Sequence, residues 1–243
     1  MGWSKFKNTY LQLSWLFPLV IGDRQYNNAL YGRPRTFADT LQRALERALW
    51  FWPRVIDATP WAAGDIGKLQ TPANYAELDE HGKMLLEWVM KVSPERGAKL
   101  LDIGCNCGRH IIFLTEHGYT AITGVDAMRS AIELFKERAP AVFSASSIHH
   151  DLFQRFLLRQ PDCSFDVAYS HGATIELVHP SFDIVGQLSR VTKRYICLFL
   201  IEKGHIERDW IGQFESHGFE IEYGERPVPG TGASMLVLRR VGK

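Results

Sequence analysis

From residue 98 to the C-terminus, short apolar runs alternate with stretches whose apolar positions recur every three or four residues. "AKLLDIG" (98–104) is an apolar run closed by a glycine, and "GRHIIFLTEHG" (108–118) reads as a helix that Gly118 ends. "AITGVDA" (121–127) predicts a second strand and "MRSAIELFKERA" (128–139) a second helix, with Ile132 and Phe135 among its apolar positions. "AVFSASSI" (141–148), "SFDVAYS" (164–170) and "RYICLFLIE" (194–202) predict further strands, with an amphipathic helix, "PSFDIVGQLSRVTK" (180–193), between the last two. Such alternation predicts a parallel sheet covered by helices on both faces. The end of the chain breaks the rhythm. "GFEIEYGERPVPGTGASMLVLRRV" (218–241) holds two strand patterns joined by a Pro/Gly loop and no helix. A parallel crossover takes a dozen or more residues, so the last strand is expected to run antiparallel to its neighbour. The expected fold is α/β: a doubly wound, Rossmann-like, mostly parallel sheet of seven strands.

Residues 1–75 follow a different pattern and are expected to form a helical N-terminal cap on a main domain spanning 76–243. Thr36 with Asp39 resembles a capping box, and Phe37, Leu41, Ala44, Leu45, Ala48 and Trp52 then fall on one stripe before Pro53. Trp50 lies opposite that stripe beside Arg43, Glu46 and Arg47. A further helix is expected over roughly 74–91, leading into the first strand.

Composition narrows the function classes. A formal net charge of +1 gives no whole-molecule attraction to nucleic acid. Residues 1–60, however, hold eight Lys/Arg against four Asp/Glu, along with Trp3, Trp15, Trp50 and Trp52. That mixture is one expected of a peripheral membrane contact or a contact with a second subunit. Four cysteines without C-x-x-C spacing fit a reduced, cytoplasmic setting rather than a disulfide scaffold. Leu11–Gly22 is too short and interrupted to span a bilayer and lacks a signal-peptide cleavage pattern.

The chemistry concentrates at "LLDIGCNCGRH" (100–110), where the first strand gives way to a helix. A glycine-rich turn there lets backbone approach a ligand closely, and the helix start offers free N–H groups to an anion. The spacing is Gly104-x-Asn106-x-Gly108, with Arg109 where the dinucleotide fingerprint would want a further glycine. Asparagine visits left-handed conformations readily, so Asn106 suits the middle of the turn. Asp126 stands twenty positions after Asn106, at the end of the second strand, where an acid would hold ribose hydroxyls. Cys105 and Cys107 have no Cys or His partner at metal spacing and read as small packing residues, so no metal is called for.

With these residues in view, "LLDIGCNCGRH" resembles motif I of the class I S-adenosylmethionine-dependent methyltransferases, particularly members with a G-C-N-x-G variant. The resemblance covers roughly residues 76–243. "GVDAM" is similar to the family's second motif, "HHDLF" to its third, and "FDVAYSHGATIELVHP" to its fourth strand and active-site loop. A terminal antiparallel strand is also the family's mark. The resemblance implies the cofactor S-adenosyl-L-methionine, held by Asp102, Gly104, Asn106, Gly108, Asp126, Ala127, Asp151, Leu152 and Ser170. Plainer readings stand beside several of these. Asp102 can anchor the loop's backbone amides, Asp126 and Asp151 can cap the helices that follow them, and Arg109 can lie on a helix surface or near the cofactor carboxylate.

In the family the methyl acceptor sits beyond the fourth strand, which here brings Tyr169, Ser170, His171, Glu176 and His179. Histidine suits base work near neutrality, so His171 is the first candidate for a general base and His179 the second. A structural histidine is the alternative for His171, and the start of the next helix the alternative for His179. The pair His149 and His150 would border the adenine pocket. "YSHG" is neither the N-P-P-[YF] nor the P-C pattern of the family's nucleic-acid members, so nucleic acid is not the expected acceptor, and the metal-binding arrangement of catechol-type members is absent, so no metal is expected. The resemblance therefore implies transfer of a methyl group to a hydroxyl or amine of a small molecule or glycan precursor. Two rivals remain open: an RNA- or protein-directed methyltransferase docking through the basic leader, and a non-catalytic scaffold that binds S-adenosylmethionine.

Overall fold

The computed structural model describes residues 71–172, 175, 176, 178, 182–202 and 208–242. The cap helix over 36–52, the leader tryptophans and His179 lie outside the described residues.

The described chain opens with a 3-10 turn, Pro72–Tyr75, and helix α1, Glu80–Val92. Then come β1 (Leu100–Ile103), α2 (Arg109–Glu116), β2 (Ile122–Asp126), α3 (Arg129–Arg138), α4 (Pro140–Ala145) and β3 (Ser147–His150). The second half holds α5 (Phe153–Arg159), β4 (Phe165–His171), α6 (Ile184–Val191), β5 (Thr192–Leu200), α7 (Trp210–Ser216), β6 (Phe219–Glu225) and β7 (Ser234–Arg240). The seven strands form one sheet in the order β3-β2-β1-β4-β5-β7-β6. Strands β1 to β5 pair in parallel, and β7 runs antiparallel to both β5 and β6. The reversal expected from the helix-free C-terminal stretch is therefore present. Strand order changes direction between β1 and β4, and the crevice beyond their carboxyl ends is where such sheets bind ligands.

Side-chain alternation assigns the two faces. On one face Leu101 and Ile103 pack with Ile196, Leu198 and Leu200 under α5, α6 and α7. On the other, Leu100, Tyr169, Cys197 and Phe199 pack with Leu85, Leu86 and Val89 of α1 and with Ile111, Leu114 and Phe135 of α2 and α3. All four β1 residues are buried, as expected of a strand covered on both sides.

Three predicted boundaries move. Residues 141–145, expected in a strand, fall instead in α4, and only Ser147–His150 pair with β2. Pro140 occupies the first helical turn, where its fixed φ starts a helix and its missing N–H costs nothing, while β3 is mostly exposed and gains little from a longer pairing. The helix expected over 74–91 begins at Glu80, because Asp79 accepts the Gly82 amide at 2.6 Å as its N-cap. Similarly, Asp183 caps α6 through the Gly186 amide, and the chain turns extended at Thr192 rather than continuing helical to residue 193.

At the outer edge, β6 carries Glu220 and Glu222 facing Arg239 of β7, with Arg239 Nε 2.8 Å from Glu222. The β6–β7 register also shifts between Ile221 and Tyr223.

Candidate active site

The glycine loop between β1 and α2 is built from three left-handed residues: Gly104 (φ 77°), Asn106 (φ 48°) and Gly108 (φ 78°). The Asn106 side chain accepts the Cys107 amide at 2.7 Å, which holds the turn from within. Gly108 also meets a packing demand. A Cβ placed there would lie 2.4 Å from the Phe135 ring of α3, so the close approach of loop and helix excludes any side chain. No side chain caps α2, leaving its first amides available to an anion.

Asp126 ends β2 and fastens this loop. Its carboxylate accepts the Asn106 amide at 2.9 Å and the Met128 amide at 2.8 Å, joining the glycine turn to the segment that starts α3. Burial pushes the Asp126 carboxyl above the usual range, against the pull of these two amides. A carboxylate has about four lone-pair sites, so two further donors are accommodated. Asp102 is more extreme. It is fully buried, and neither carboxylate oxygen has a hydrogen-bond partner; it is flanked by His110 Nδ1 at 3.6 Å and by the Tyr169 phenol. A buried carboxylate left in this state is costly and fits an ammonium-bearing ligand.

Sheet register carries the site across to β4. Asp102 pairs laterally with Tyr169, so the period of two places Tyr169 and His171 on the face that Asp102 occupies, with His171 opposite Phe199. The Tyr169 phenol, buried and beside Asp102, is held well above its ordinary pKa, burial being the larger cause. His110 of α2 bridges the two strands: its Nδ1 faces Asp102 and its Nε2 lies 3.4 Å from His171 Nδ1. Arg109 closes the chain of contacts. One of its nitrogens is 3.1 Å from His171 Nδ1, and the other reaches the Glu77 carbonyl at 3.1 Å and Asp79 at 3.2 Å. Arg109 is thus folded into the site rather than spread on a helix surface.

This surrounding keeps His171 neutral. Burial, and then the neighbouring His110 and Arg109, lower its pKa to about 3, against the opposing charge of Asp79. The unfolded ring takes a proton below its ordinary value near 6.5 and the folded ring does not, so the stabilisation is complete above about pH 6.5 and is lost as pH falls toward 3. Asp79, whose carboxyl is raised by burial but lowered further by the Gly82 amide and by Arg109, contributes stability that is complete above its ordinary 3.8 and is lost only below it. Thermal melts should therefore fall between pH 6.5 and 4.5, and His171→Gln should flatten that decline.

The other sequence-derived residues fall around this centre. Ser170 is buried and donates to the Ile103 carbonyl at 2.9 Å, tying β4 to β1. The Ala127 carbonyl is met by His150 at 3.1 Å. Asp151 accepts the Leu152 amide and pairs with Arg155 and Arg159 of α5, while Leu152, itself buried, is the residue before α5. His149 packs on Phe156. Cys105 and Cys107 are buried free thiols, and the Cys107 thiol points at the Pro72 and Tyr75 carbonyls. Among the described residues no group of His, Cys, Asp and Glu is arranged to hold a metal. Glu176 is buried and accepts the Ile201 amide at 2.7 Å. Sequence reasoning missed His110, Asp79 and the Gly108–Phe135 contact; of these, only Asp79, an aspartate just before a helical pattern, carried a readable signal.

Comparison with known proteins identifies the arrangement. Residues 100–194, from β1 into β5, match a family model described as a methyltransferase domain. Over these residues the chain is similar to that methyltransferase-domain family. It is similar to phosphoethanolamine N-methyltransferase 1 of Arabidopsis thaliana, 29% identical over 91 residues, which is 37% of this chain and 18% of that protein. It is also similar to an O-methyltransferase of Pyrenophora dematioidea, 25% identical over 107 residues, 43% of this chain and 40% of that one. The chain thus spans less than half the length of these curated relatives. Among solved structures, magnesium protoporphyrin IX methyltransferase from Synechocystis with bound S-adenosylmethionine aligns over 97% of both chains, with a TM-score of 0.54 and 11% identity. That likeness is one of fold. S-adenosylmethionine is the family's cofactor, and the residues at the ends of β1 and β2 fit it: a partnerless buried carboxylate for its ammonium, and a carboxylate with spare lone pairs for ribose hydroxyls. Among the described residues no helix is long and apolar enough to cross a membrane.

Proposed function

We propose that this protein transfers the methyl group of S-adenosylmethionine to a nucleophile of a small molecule or glycan precursor. The observation that carries this reading is the buried, partnerless Asp102 carboxylate set between the left-handed glycine turn and the histidines that end at β4. Asp102 would hold the cofactor's ammonium, Asp126 its ribose, the amides of Gly104 to Gly108 and the start of α2 its carboxylate end, and Asp151 with Leu152 its adenine. The cofactor supplies an electrophilic methyl group on a sulfonium. What the chain must add is placement, since aligned reactants can lower a barrier by about 7–11 kcal/mol without any further chemistry. His171 stands at the carboxyl end of β4, where it would meet the acceptor, and Arg109 and His110 position it. Residues 1–75 are proposed as the cap over the acceptor. The relatives' own names, an N-methyltransferase and an O-methyltransferase, support small acceptors without choosing between nitrogen and oxygen.

The test is calorimetry with S-adenosylhomocysteine, followed by turnover of methyl-labelled S-adenosylmethionine on carboxylic acids, phenols, alcohols, amines, glycans and RNA. One binding site and label in a small molecule are expected. A folded protein that binds neither cofactor form would end the proposal, and label confined to RNA would move the acceptor to a macromolecule.

A further inference from the structure

The tautomer of His171 bears on what it can accept or donate. An arginine guanidinium donates hydrogen bonds and never accepts them. With an Arg109 nitrogen 3.1 Å from His171 Nδ1, that ring nitrogen must present its lone pair. Arg109 is not free to turn away, because its other nitrogen is anchored on the Glu77 carbonyl and on Asp79. His110 Nε2 lies 3.4 Å from the same Nδ1, and the other nitrogen of His110 is directed at Asp102. Among the described residues both polar contacts of His171 fall on Nδ1, and none falls on Nε2. A neutral imidazole carries one proton, so here it sits on Nε2.

We infer that His171 meets the acceptor as a hydrogen-bond donor through Nε2–H, and that the acceptor is an oxyanion, a carboxylate or phenolate oxygen, which needs no base. A ring protonated on Nε2, with its Nδ1 lone pair engaged by Arg109, has no lone pair with which to deprotonate a hydroxyl. The donor also discriminates against an amine. A neutral amine has a single lone pair, and a hydrogen bond from Nε2–H would occupy the electrons needed for attack. An oxyanion keeps further lone pairs. The transfer then balances without proton movement: an acceptor lone pair forms the C–O bond, the C–S bond breaks with its electrons going to sulfur, and the anionic and sulfonium charges cancel. The neutral state of His171 agrees with this role, set as it is by burial and by His110, Arg109, Asp79 and His81 around it. Arg109 and His110 are positioning residues, since they act through His171.

This inference rests on the methyltransferase reading, and the experiment separates the two. Full-length protein labelled with 15N-histidine is saturated with S-adenosylhomocysteine, binding being checked by calorimetry, and His171 is assigned by its loss in His171→Gln. Long-range proton–nitrogen spectra should show a neutral Nε2–H ring that does not titrate between about pH 5 and 8, and sodium benzoate, as the oxyanion probe, should shift that proton. Arg109→Met should release Nδ1, so that the neutral ring also populates the Nδ1–H tautomer. If S-adenosylhomocysteine fails to bind, the functional reading itself falls. If it binds but the ring is Nδ1–H, titrates in the native protein, or ignores benzoate, the functional reading stands and the oxyanion inference is overturned.

Discussion

Replacing Asp126 with alanine is expected to weaken S-adenosylmethionine binding by at least about tenfold, which corresponds to about 1.4 kcal/mol. Two losses combine. The ribose would lose a charged acceptor, and charge-assisted hydrogen bonds contribute about 1.5–3 kcal/mol each before compensation. The glycine turn would lose its tie as well, because the Asn106 and Met128 amides both end on this carboxylate. Asp126→Asn separates the contributions. An amide oxygen can keep one of the backbone contacts, but the amide nitrogen opposes the other N–H. Calorimetry should therefore rank native above Asn above Ala, with a parallel ranking in melting temperature. Native affinity in a folded Asp126→Ala protein would remove Asp126 from the cofactor site.

The second large effect is expected at Gly108. Alanine there must adopt φ near 78° and also find room where its Cβ would stand 2.4 Å from the Phe135 ring. Left-handed strain and overpacking each cost on the order of 1–3 kcal/mol, so Gly108→Ala should lose about 2–6 kcal/mol in denaturant unfolding and bind cofactor poorly. Pairing it with Phe135→Leu in a double-mutant cycle should recover the steric part and leave about 1–2 kcal/mol of backbone strain. Additive losses would show that the ring does not set the constraint.

The sheet and its reversed last strand were legible because they depend on local pattern. Apolar runs, glycine stops and the missing crossover helix before β7 each leave a mark within a few residues. The loop was legible for the same reason: Gly104, Asn106, Gly108 and Asp126 are spaced by the turn they build. What was hidden depends on register between distant strands. Asp102 and Tyr169 face one another only once β1 pairs with β4, and His110 becomes a bridge only when α2 lies across that pair. An Arg–His dipeptide at 109–110 says nothing by itself about a histidine at 171. The misread strand at 141–148 failed for a local reason, since Pro140 outweighed the apolar run at an exposed edge.

The outer edge of the sheet has its own consequence. An open strand is a template on which another chain can extend the sheet, and among the described residues β6 is the last strand on this side. Its glutamates at 220 and 222, balanced by Arg239 within the molecule, together with the register shift after Ile221, would set like charges and a mismatched ladder against any second copy arriving along that side. The guard is local and electrostatic: acid that protonates these carboxylates, or salt that screens them, weakens it, and self-association through β6 would be governed by the solvent rather than by the fold.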